Sequence, residues 1–342
     1  MSRVVEHLAE LTGFRDRDVL DTTLAAALRD ILRPRCVGIH RCVGEEGARH
    51  WMTRARLEAS DSAATADPLW AELDTLPRLI DRPARLAAVE QQAVVVVSGL
   101  AEQTVFPLAT DREVVGVVEI DTDQPLTPEQ LRLVGSVLRI YRNFQGLLDY
   151  SERDTLTGLL NRKTFDEAFF KIVGVTLLNP AVAARERRNA PQAQEHYIGV
   201  IDIDHFKLVN DNYGHLIGDE VLLLLSRLMR SSFRFHDKLF RFGGEEFVVL
   251  MRCGNAVDAA SAFERLRRNV EAYAFPQVGH IAVSVGFTSV RLDDTPTGAF
   301  ERADKAVYWV KANGRNQVCS HETLAERGES GGDTKVGDIE LF

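Results

Sequence analysis

Seven residues, Arg241-Phe-Gly-Gly-Glu-Glu-Phe247, lie between two runs of apolar residues and predict a β-hairpin. Gly243 and Gly244 give the turn its backbone freedom and leave room for a bulky ligand to approach closely. Glu245 and Glu246 would then emerge at the tip of a rigid support. A Gly-Gly turn with exposed glutamates is also an ordinary surface hairpin, so the chemistry of this turn depends on what surrounds it.

Two further carboxylates follow a predicted strand that runs from Tyr197 to Ile203. Asp202 and Asp204 are alternate residues, so their side chains point to the same face at the end of this strand. If the hairpin pairs beside the strand, three or four acids converge, which is tolerable only with a cation or with raised pKa values. A set of oxygen ligands favours magnesium, which commonly bridges protein carboxylates and substrate phosphates. The sequence therefore predicts a magnesium and phosphate site at this strand edge.

The residues around the hairpin, from 151 to 322, alternate helix and strand patterns and predict an α+β domain with a βαββαβ core. The predicted strands and hairpin cover 197–203, 238–251 and 280–290, and the predicted helices cover 162–175, 218–233, 256–274 and 297–312. A polar, arginine-rich stretch from Asn179 to Glu195 predicts a loop. Residues 323–342 are poor in apolar side chains and predict a disordered tail.

Several short motifs stand in order across this domain. They are Asp154-x-Leu-Thr-Gly-Leu-x-Asn-Arg162, Asp202-Ile-Asp-His-Phe-Lys207, Asn210-Asp-x-Tyr-Gly-His215, Gly218-Asp219, Val283-Ser-Val-Gly286, Ala303-Asp-Lys-Ala-Val-Tyr308 and Gly314-Arg-Asn316. Together with the hairpin they resemble the GGDEF family of diguanylate cyclases, whose signature accepts Asp or Glu in its third position, where Glu245 stands. The resemblance covers about half of the chain and implies a nucleotidyl-cyclase/polymerase-palm-like domain at residues 151–322.

The resemblance assigns the predicted acids to a metal site. It implies that Asp202, Glu245 and the backbone carbonyl of Ile203 bind Mg²⁺, or Mn²⁺ in its place. Glu246 would lie close to a second metal position. Glu245 is also the implied acceptor of the proton that the attacking hydroxyl releases.

The same resemblance implies a GTP pocket on the residues that follow the strand. Asn210 and Asp219 would read the guanine edge, because an amide and a carboxylate match its pattern of acceptors and donors. His215 would lie against the same nucleotide. The turn His205-Phe206-Lys207 resembles a triphosphate cradle built from backbone N–H groups.

Two cations near the end of the last predicted helix complete the implied substrate site. Lys311 and Arg315 are four residues apart, so they would share a helical face and supply charge to the terminal phosphates. Gly243 and Gly244 would let the substrate approach the hairpin. On the residues alone, solvated cations at a helix C-terminus are the preferred interpretation, because positive charge is favoured there.

The resemblance further implies that each domain binds one GTP in half of a site and that two chains face each other as a homodimer. Each 3′-hydroxyl then attacks the α-phosphate of the other GTP, which gives cyclic di-GMP and two pyrophosphates. Arg234-Phe-His-Asp237 precedes Gly243 at the spacing of a product-inhibition motif in this family, with Arg265 as an additional contact. An isolated motif of this kind is more often a surface ion pair. A catalytically silent receptor for cyclic di-GMP is the alternative to an active enzyme.

The first 150 residues predict a separate α+β domain. A helical opening between Val4 and Leu32 precedes short predicted strands, which are Cys36–Cys42, Val94–Val97, Thr104–Leu108 and Val114–Asp121. The hairpin from Phe106 to Ile120 resembles the ending of GAF sensor domains and implies regulation by an unknown small-molecule or protein signal. His40 and Cys42 suggest haem or redox sensing, although such residues near a strand are more often structural.

One long helix is predicted between these domains, from Thr127 as N-cap to Tyr150. Two apolar stripes run along it: Leu131, Val134, Leu138, Tyr141 and Leu148, interrupted by Gln145, and Leu133, Val137, Ile140, Phe144 and Leu147. One stripe can cover the first domain while the other meets a partner helix in a dimer. A helix packed only on its own domain is an equally weighted interpretation.

The composition limits the class of protein. The net charge of −9 argues against a general nucleic-acid-binding surface. The four cysteines are scattered without metal-site or disulfide spacing, which favours a reducing cytoplasm. No segment is apolar and long enough for a membrane span, so no membrane partner is expected.

Overall fold

The structure is a computed structural model of the 342-residue chain, and it describes residues 17–44, 47–68, 70–99, 101–110, 114–178 and 195–328. The chain divides into two units, residues 1–151 and 152–342. The first part of the predicted helical opening and nearly all of the loop predicted at 179–195 lie outside the described residues. None of the helices within these ranges is long and apolar enough to cross a membrane.

The first unit contains a five-stranded antiparallel sheet in the order β2-β1-β5-β4-β3. Its strands are β1 (Cys36–Val43), β2 (His50–Glu58), β3 (Val95–Val97), β4 (Glu102–Ala109) and β5 (Val114–Thr122). The four predicted strands are confirmed, including the hairpin of β4 and β5. Strand β2 was missed because its alternation is broken twice: its pairing with β1 shifts between Ala55 and Thr53, and the consecutive residues Trp51 and Met52 are both buried. The GAF-like resemblance itself stays a prediction.

In the described part of this unit, three α-helices accompany the sheet: α1 (Arg17–Leu32), α2 (Pro83–Gln91) and α3 (Pro128–Glu152). One apolar cluster joins Leu24 and Leu28 of α1 with Val37 and Val118 of the sheet and Val134 of α3. A second cluster joins α2 to other sheet residues, among them Trp51, Ala88, Val105 and Val117. The sheet is therefore covered by helices through two separate cores.

The long helix begins as predicted. Thr127 Oγ1 accepts a hydrogen bond from the backbone N–H of Gln130 at 3.2 Å, and the Gln130 side chain accepts one from Thr127 N at 2.9 Å. Gln145 is buried because its amide donates to the Tyr141 hydroxyl at 2.9 Å, and that hydroxyl in turn donates to Asp21 of α1. The first stripe thus packs within its own unit. The second stripe is divided, because Val137 and Phe144 pack in the same core whereas Leu147 is 67% exposed.

The second unit contains a six-stranded sheet in the order β11-β10-β7-β9-β8-β6, with β7 antiparallel to both β9 and β10. The strands are β6 (Leu160–Asn161), β7 (Glu195–Ile203), β8 (Lys238–Gly243), β9 (Glu246–Cys253), β10 (Val283–Ser289) and β11 (Val318–Ser320). The helices are α4 (Arg162–Leu178), α5 (Phe206–Tyr213), α6 (His215–Ser232), α7 (Ala256–Ala272), α8 (Pro296–Ala312) and α9 (His321–Glu326). Two apolar cores cover the sheet, one with α6 and α7 and the other with α4 and α8.

The predicted elements of this unit are confirmed, with two notable differences. Helix α5 was not predicted, because its eight residues follow the strand directly and read as part of a polar turn. The prediction of a disordered tail from residue 323 is wrong at its start, and residues 329–342 of that tail lie outside the described residues. Helix α9 continues to Glu326, and its Leu324 is 2% exposed and packs with Val310 and Cys319. Burial of this leucine and the hydrogen bonds that Glu322 accepts from Thr288 and Ser289 anchor this otherwise polar segment.

Candidate active site

The hairpin lies beside the aspartate-bearing strand, as predicted. Strand β9 pairs antiparallel with β7 so that Glu246 stands opposite Asp202. The turn places Gly243 at φ 145° and Gly244 at φ 51°, both in the region that favours glycine. Glu245 and Glu246 at the tip of the hairpin are therefore held beside the C-terminal end of strand β7.

An arginine fixes the hairpin turn from inside the motif. Arg241 Nε and Nη2 donate to the carbonyl oxygen of Gly244 at 3.2 and 2.9 Å, and its Nη1 donates to Asp154 at 3.1 Å. Asp154 also accepts from the backbone and hydroxyl of Thr157 at 2.8 and 2.6 Å. Burial alone would raise the pKa of Asp154, but these hydrogen bonds lower it. Sequence reasoning gave neither residue a role, although each begins one of the motifs.

Four carboxylates share this region and are called the acid cluster: Asp202, Glu245, Glu246 and Asp304. Burial and then the charge of Asp202 raise the pKa of Glu245 to about 7. Burial and then the charge of Asp304 raise the pKa of Glu246. Burial also raises the pKa of Asp202, in spite of a neighbouring lysine. Acids that resist ionisation in this way mark a site that lacks positive charge.

Asp304 was not predicted as a site residue. It lies on α8 seven residues before Lys311, which is about two helical turns and places both side chains on one face. Burial raises the pKa of Asp304, and the charge of Lys311 partly offsets that rise. Its position within the motif Ala303–Tyr308 was the available signal.

Lys311 makes the shortest polar contact of the cluster. Its Nζ lies 2.7 Å from Asp202 Oδ2, and the Asp202 side chain is only 8% exposed. The other oxygen of the same carboxylate, Oδ1, is buried without a hydrogen-bond partner. A buried carboxylate oxygen left unpaired is costly and suits a cation.

The donors fit a hard divalent cation, because each is a carboxylate or, at Ile203, a backbone carbonyl at the end of β7. Within the described ranges, no three acid, histidine or cysteine side chains already converge in an arrangement able to hold a metal ion.

Asp204 has a different environment from Asp202. Its Oδ1 accepts from the Ser284 hydroxyl at 2.7 Å and its Oδ2 accepts from the backbone N–H of Asn316 at 3.0 Å. Both oxygens are thus engaged in tying β7 to β10 and to the segment after α8. The sequence predicted that Asp202 and Asp204 belong to one group of acids. In the structure, Asp204 instead has a structural role, because both of its carboxylate oxygens accept hydrogen bonds from neighbouring segments.

The predicted guanine-reading residues lie on α5 and α6. The side chain of Asn210 packs against Gly218, where a Cβ atom would come within 2.0 Å of Asn210 Oδ1. Asp219 and His215 are exposed on α6. Leu216 lies between His215 and Asp219 in sequence, and its side chain is 86% exposed. The sequence did not predict it as a site residue, because an apolar side chain carries no polar signal.

The predicted triphosphate cradle coincides with the start of α5. His205 adopts φ 59° and precedes the first helical residue, Phe206. Phe206 is buried, while His205 and Lys207 are exposed. The N–H groups of Leu208 and Val209 donate to the His205 carbonyl, and the use of this turn as a triphosphate cradle stays a prediction.

The predicted pairing of Lys311 and Arg315 on one helical face is wrong. Helix α8 ends at Ala312, and Gly314 and Arg315 both adopt positive φ values, 108° and 59°. Arg315 N donates to the Val310 carbonyl and closes the end of the helix, with its side chain exposed. The glycine after the helix was the signal that the helix would stop.

The predicted product-inhibition residues surround one turn. Asp237 Oδ2 accepts from the backbone N–H of Arg234 at 2.9 Å, and Arg265 donates from Nε and Nη2 to Ser232 O at 3.1 and 2.6 Å. Burial raises the pKa of Asp237 to about 6. An open depression of about 330 Å³ lies alongside, lined by Ser261, Glu264, Arg265, Arg268 and Asn269.

The fold and the acid cluster together define an α+β domain with a carboxylate site at the end of its central strand β7. Residues 151–317 match the family model described as "Diguanylate cyclase, GGDEF domain", and this part of the chain is a GGDEF domain.

Three known proteins illustrate the similarity. Diguanylate cyclase DgcP of Pseudomonas aeruginosa is 38% identical over 168 residues, 48% of this chain and 23% of the relative. Diguanylate cyclase DgcZ of Escherichia coli is 36% identical over 170 residues, 49% of this chain and 52% of the relative. The chain therefore spans about half of DgcZ and less than a quarter of DgcP. The GGDEF domain of DgcB from Caulobacter crescentus, solved with c-di-GMP, is 30% identical, with coverage of 50% of this chain and 94% of that chain and a TM-score of 0.42.

Proposed function

We propose that the protein is a diguanylate cyclase that condenses two GTP molecules into cyclic di-GMP and two pyrophosphates. The observation that carries the proposal is the acid cluster at the edge of β7, with Glu246 opposite Asp202 and Lys311 beside them. It lies inside the GGDEF domain, and the relatives of that domain are named diguanylate cyclases.

Divalent metal ions would bind at the acid cluster. Asp202, Glu245 and the Ile203 carbonyl would hold Mg²⁺, with Mn²⁺ able to replace it and Glu246 close to a second position. The unpartnered Oδ1 of Asp202 and the raised pKa values of Glu245 and Glu246 support this assignment. When bound, such metals stabilise the negative charge that develops on the phosphates and the departing pyrophosphate.

Glu245 would accept the proton of the attacking 3′-hydroxyl. Its pKa of about 7 belongs to the metal-free protein, and a divalent cation bound beside it would favour the ionised form that accepts a proton. Arg241 holds the carbonyl of the preceding residue, Gly244, and so positions this carboxylate.

The substrate would lie between the acid cluster and helices α5 and α6. Asn210 and Asp219 would bind the guanine edge, with His215 against the nucleotide and Gly243 and Gly244 leaving space for it. The turn formed by His205, Phe206 and Lys207 would bind the triphosphate, helped by the start of α5. Lys311 and Arg315 would supply cations to the terminal phosphates from the end of α8 and the segment that follows.

A homodimer would bring two half-sites together. Leu133, Ile140 and Leu147 recur every seven residues along α3, and the exposure of Leu147 leaves part of this stripe available to a second copy.

The N-terminal unit would act as a GAF-like regulatory domain in the cytoplasm, and it would respond to a small-molecule or protein signal. Arg234, Asp237 and Arg265 would bind cyclic di-GMP as an inhibitor.

The direct test is to incubate the full chain, stripped of bound nucleotide, with magnesium and GTP and to separate the products by chromatography. We expect cyclic di-GMP from the parent protein and from Glu301→Gln, which alters an exposed acid on α8. Glu245→Gln should reduce formation to background. A parent protein that binds cyclic di-GMP but forms none would support the silent receptor instead.

A further inference from the structure

The ion pair between Lys311 and Asp202 joins two residues that the proposed function assigns to different ligands. Asp202 is assigned to the metal and Lys311 to the terminal phosphates, yet Lys311 Nζ lies 2.7 Å from Asp202 Oδ2. The Asp202 side chain is 8% exposed and that of Lys311 is 33% exposed, so little water screens the contact.

This pairing conflicts with metal binding at the same carboxylate. An ammonium in contact with one oxygen would lie a few ångströms from a divalent cation on the other oxygen, and two such charges repel strongly at partly buried sites. The ammonium must therefore leave Asp202 before, or while, the metal arrives. A triphosphate offers it a new anionic partner, whereas free metal offers none.

We infer that Lys311 is the resting counter-ion of Asp202 and that it makes the acid cluster bind metal and nucleotide as one complex rather than metal alone. The inference rests on the proposed function and adds a positioning role for Lys311 to its contact with phosphate.

The surroundings of Lys311 suit this exchange. It stands in the last turn of α8 on a flexible four-carbon stem, and the chain turns away directly after Ala312. Thr295 caps the start of α8 by accepting from Gly298 N at 3.1 Å, so the helix itself is firmly placed.

The experiment compares binding of Mn²⁺ alone with binding of Mn²⁺ together with GTP, by calorimetry and by electron paramagnetic resonance, which detects metal uptake without turnover. The pH is held at about 8.5, above the pKa expected of carboxyl groups. Lys311→Met removes the counter-ion, Lys311→Gln keeps a donor without charge, and Lys311→Arg keeps the charge. Lys305→Met, which removes an exposed lysine from the same helix, is the control. Thermal melting verifies that each variant is folded.

We expect Lys311→Met and Lys311→Gln to bind Mn²⁺ alone about tenfold more tightly than the parent protein, equivalent to about 1.4 kcal/mol. The same variants should bind GTP in the presence of Mn²⁺ about tenfold more weakly, because a phosphate contact is lost. Lys311→Arg and Lys305→Met should behave like the parent protein toward free Mn²⁺.

Unchanged or weaker binding of free Mn²⁺ by both uncharged variants would overturn the inference, even if the parent protein binds GTP with Mn²⁺ and the proposed function stands. A parent protein that binds neither free Mn²⁺ nor GTP with Mn²⁺ would overturn the proposed function and this inference together.

Discussion

Arg241 and Asp154 are joined by two hydrogen bonds, from Nη1 of the guanidinium to both carboxylate oxygens at 3.1 and 3.2 Å. The same guanidinium donates to the Gly244 carbonyl at the tip of the hairpin. Asp154 and Arg241 are 87 residues apart in sequence. The turn that begins at Asp154 therefore helps to fix the position of Glu245. The hairpin is a supported structure rather than a free loop.

Replacement of this arginine should damage catalysis and stability together. Arg241→Met leaves Asp154 without its cation and the Gly244 carbonyl without its donor, which should cost about 2 kcal/mol of unfolding free energy. Loss of the fixed carboxylate position should lower kcat about tenfold or more, with a smaller effect on KM for GTP. Urea denaturation and steady-state kinetics measure the two effects. Arg227→Met, at an exposed site on α6, should change neither, and an unaffected kcat in Arg241→Met would contradict the positioning role.

The raised pKa of Glu245 predicts a pH effect on the stability of the metal-free protein. The pKa rises from an ordinary 4.5 to about 7 in the folded state, so the folded protein holds this proton more tightly than the unfolded chain does. The contribution of Glu245 to stability is therefore greatest below its ordinary pKa and decreases as the pH rises from 4.5 toward 7. Glu245→Gln should reduce this decrease, while Glu301→Gln should leave it unchanged. Melting curves recorded with a chelator across this range provide the measurement, and identical pH profiles for Glu245→Gln and the parent protein would refute the assignment.

Gly218 should be essential to the nucleotide pocket. A Cβ atom at this position would lie 2.0 Å from Asn210 Oδ1, so Gly218→Ala should displace the Asn210 side chain and raise KM for GTP about tenfold. Asn210→Ala should have a similar effect, and the double variant should be no worse than either single one, because both changes remove the same contact. Gly135→Ala, on the exposed part of α3 where no atom lies within 4 Å of the added methyl group, is the control. Additive effects in the double variant would show that Gly218 acts independently of Asn210.

Local sequence patterns predicted the hairpin of β8 and β9, strand β7 with Asp202 near its end, and helix α3 with Thr127 as its N-cap. Each of these features depends on residues that are close together in sequence. Contacts between distant residues could not be predicted in this way. The Lys311 and Asp202 pair and the Tyr141 and Asp21 pair depend on how separate elements pack. The pairing of Lys311 with Arg315 failed because a spacing of four residues was read as helical although Gly314 ends the helix.

The turn from Arg234 to Asp237 allows product inhibition to be separated from structure. Asp237 accepts from the backbone N–H of Arg234, so Arg234→Ala keeps that hydrogen bond and should cost less stability than Asp237→Ala. If the Arg234 side chain binds cyclic di-GMP, this variant should require about tenfold more product for half inhibition. Asp237→Ala should instead cost about 1 kcal/mol or more, because the buried turn loses its acceptor. Inhibition titrations and melting curves on both variants distinguish the two roles, and an unchanged inhibition curve for Arg234→Ala would remove this arginine from the product site.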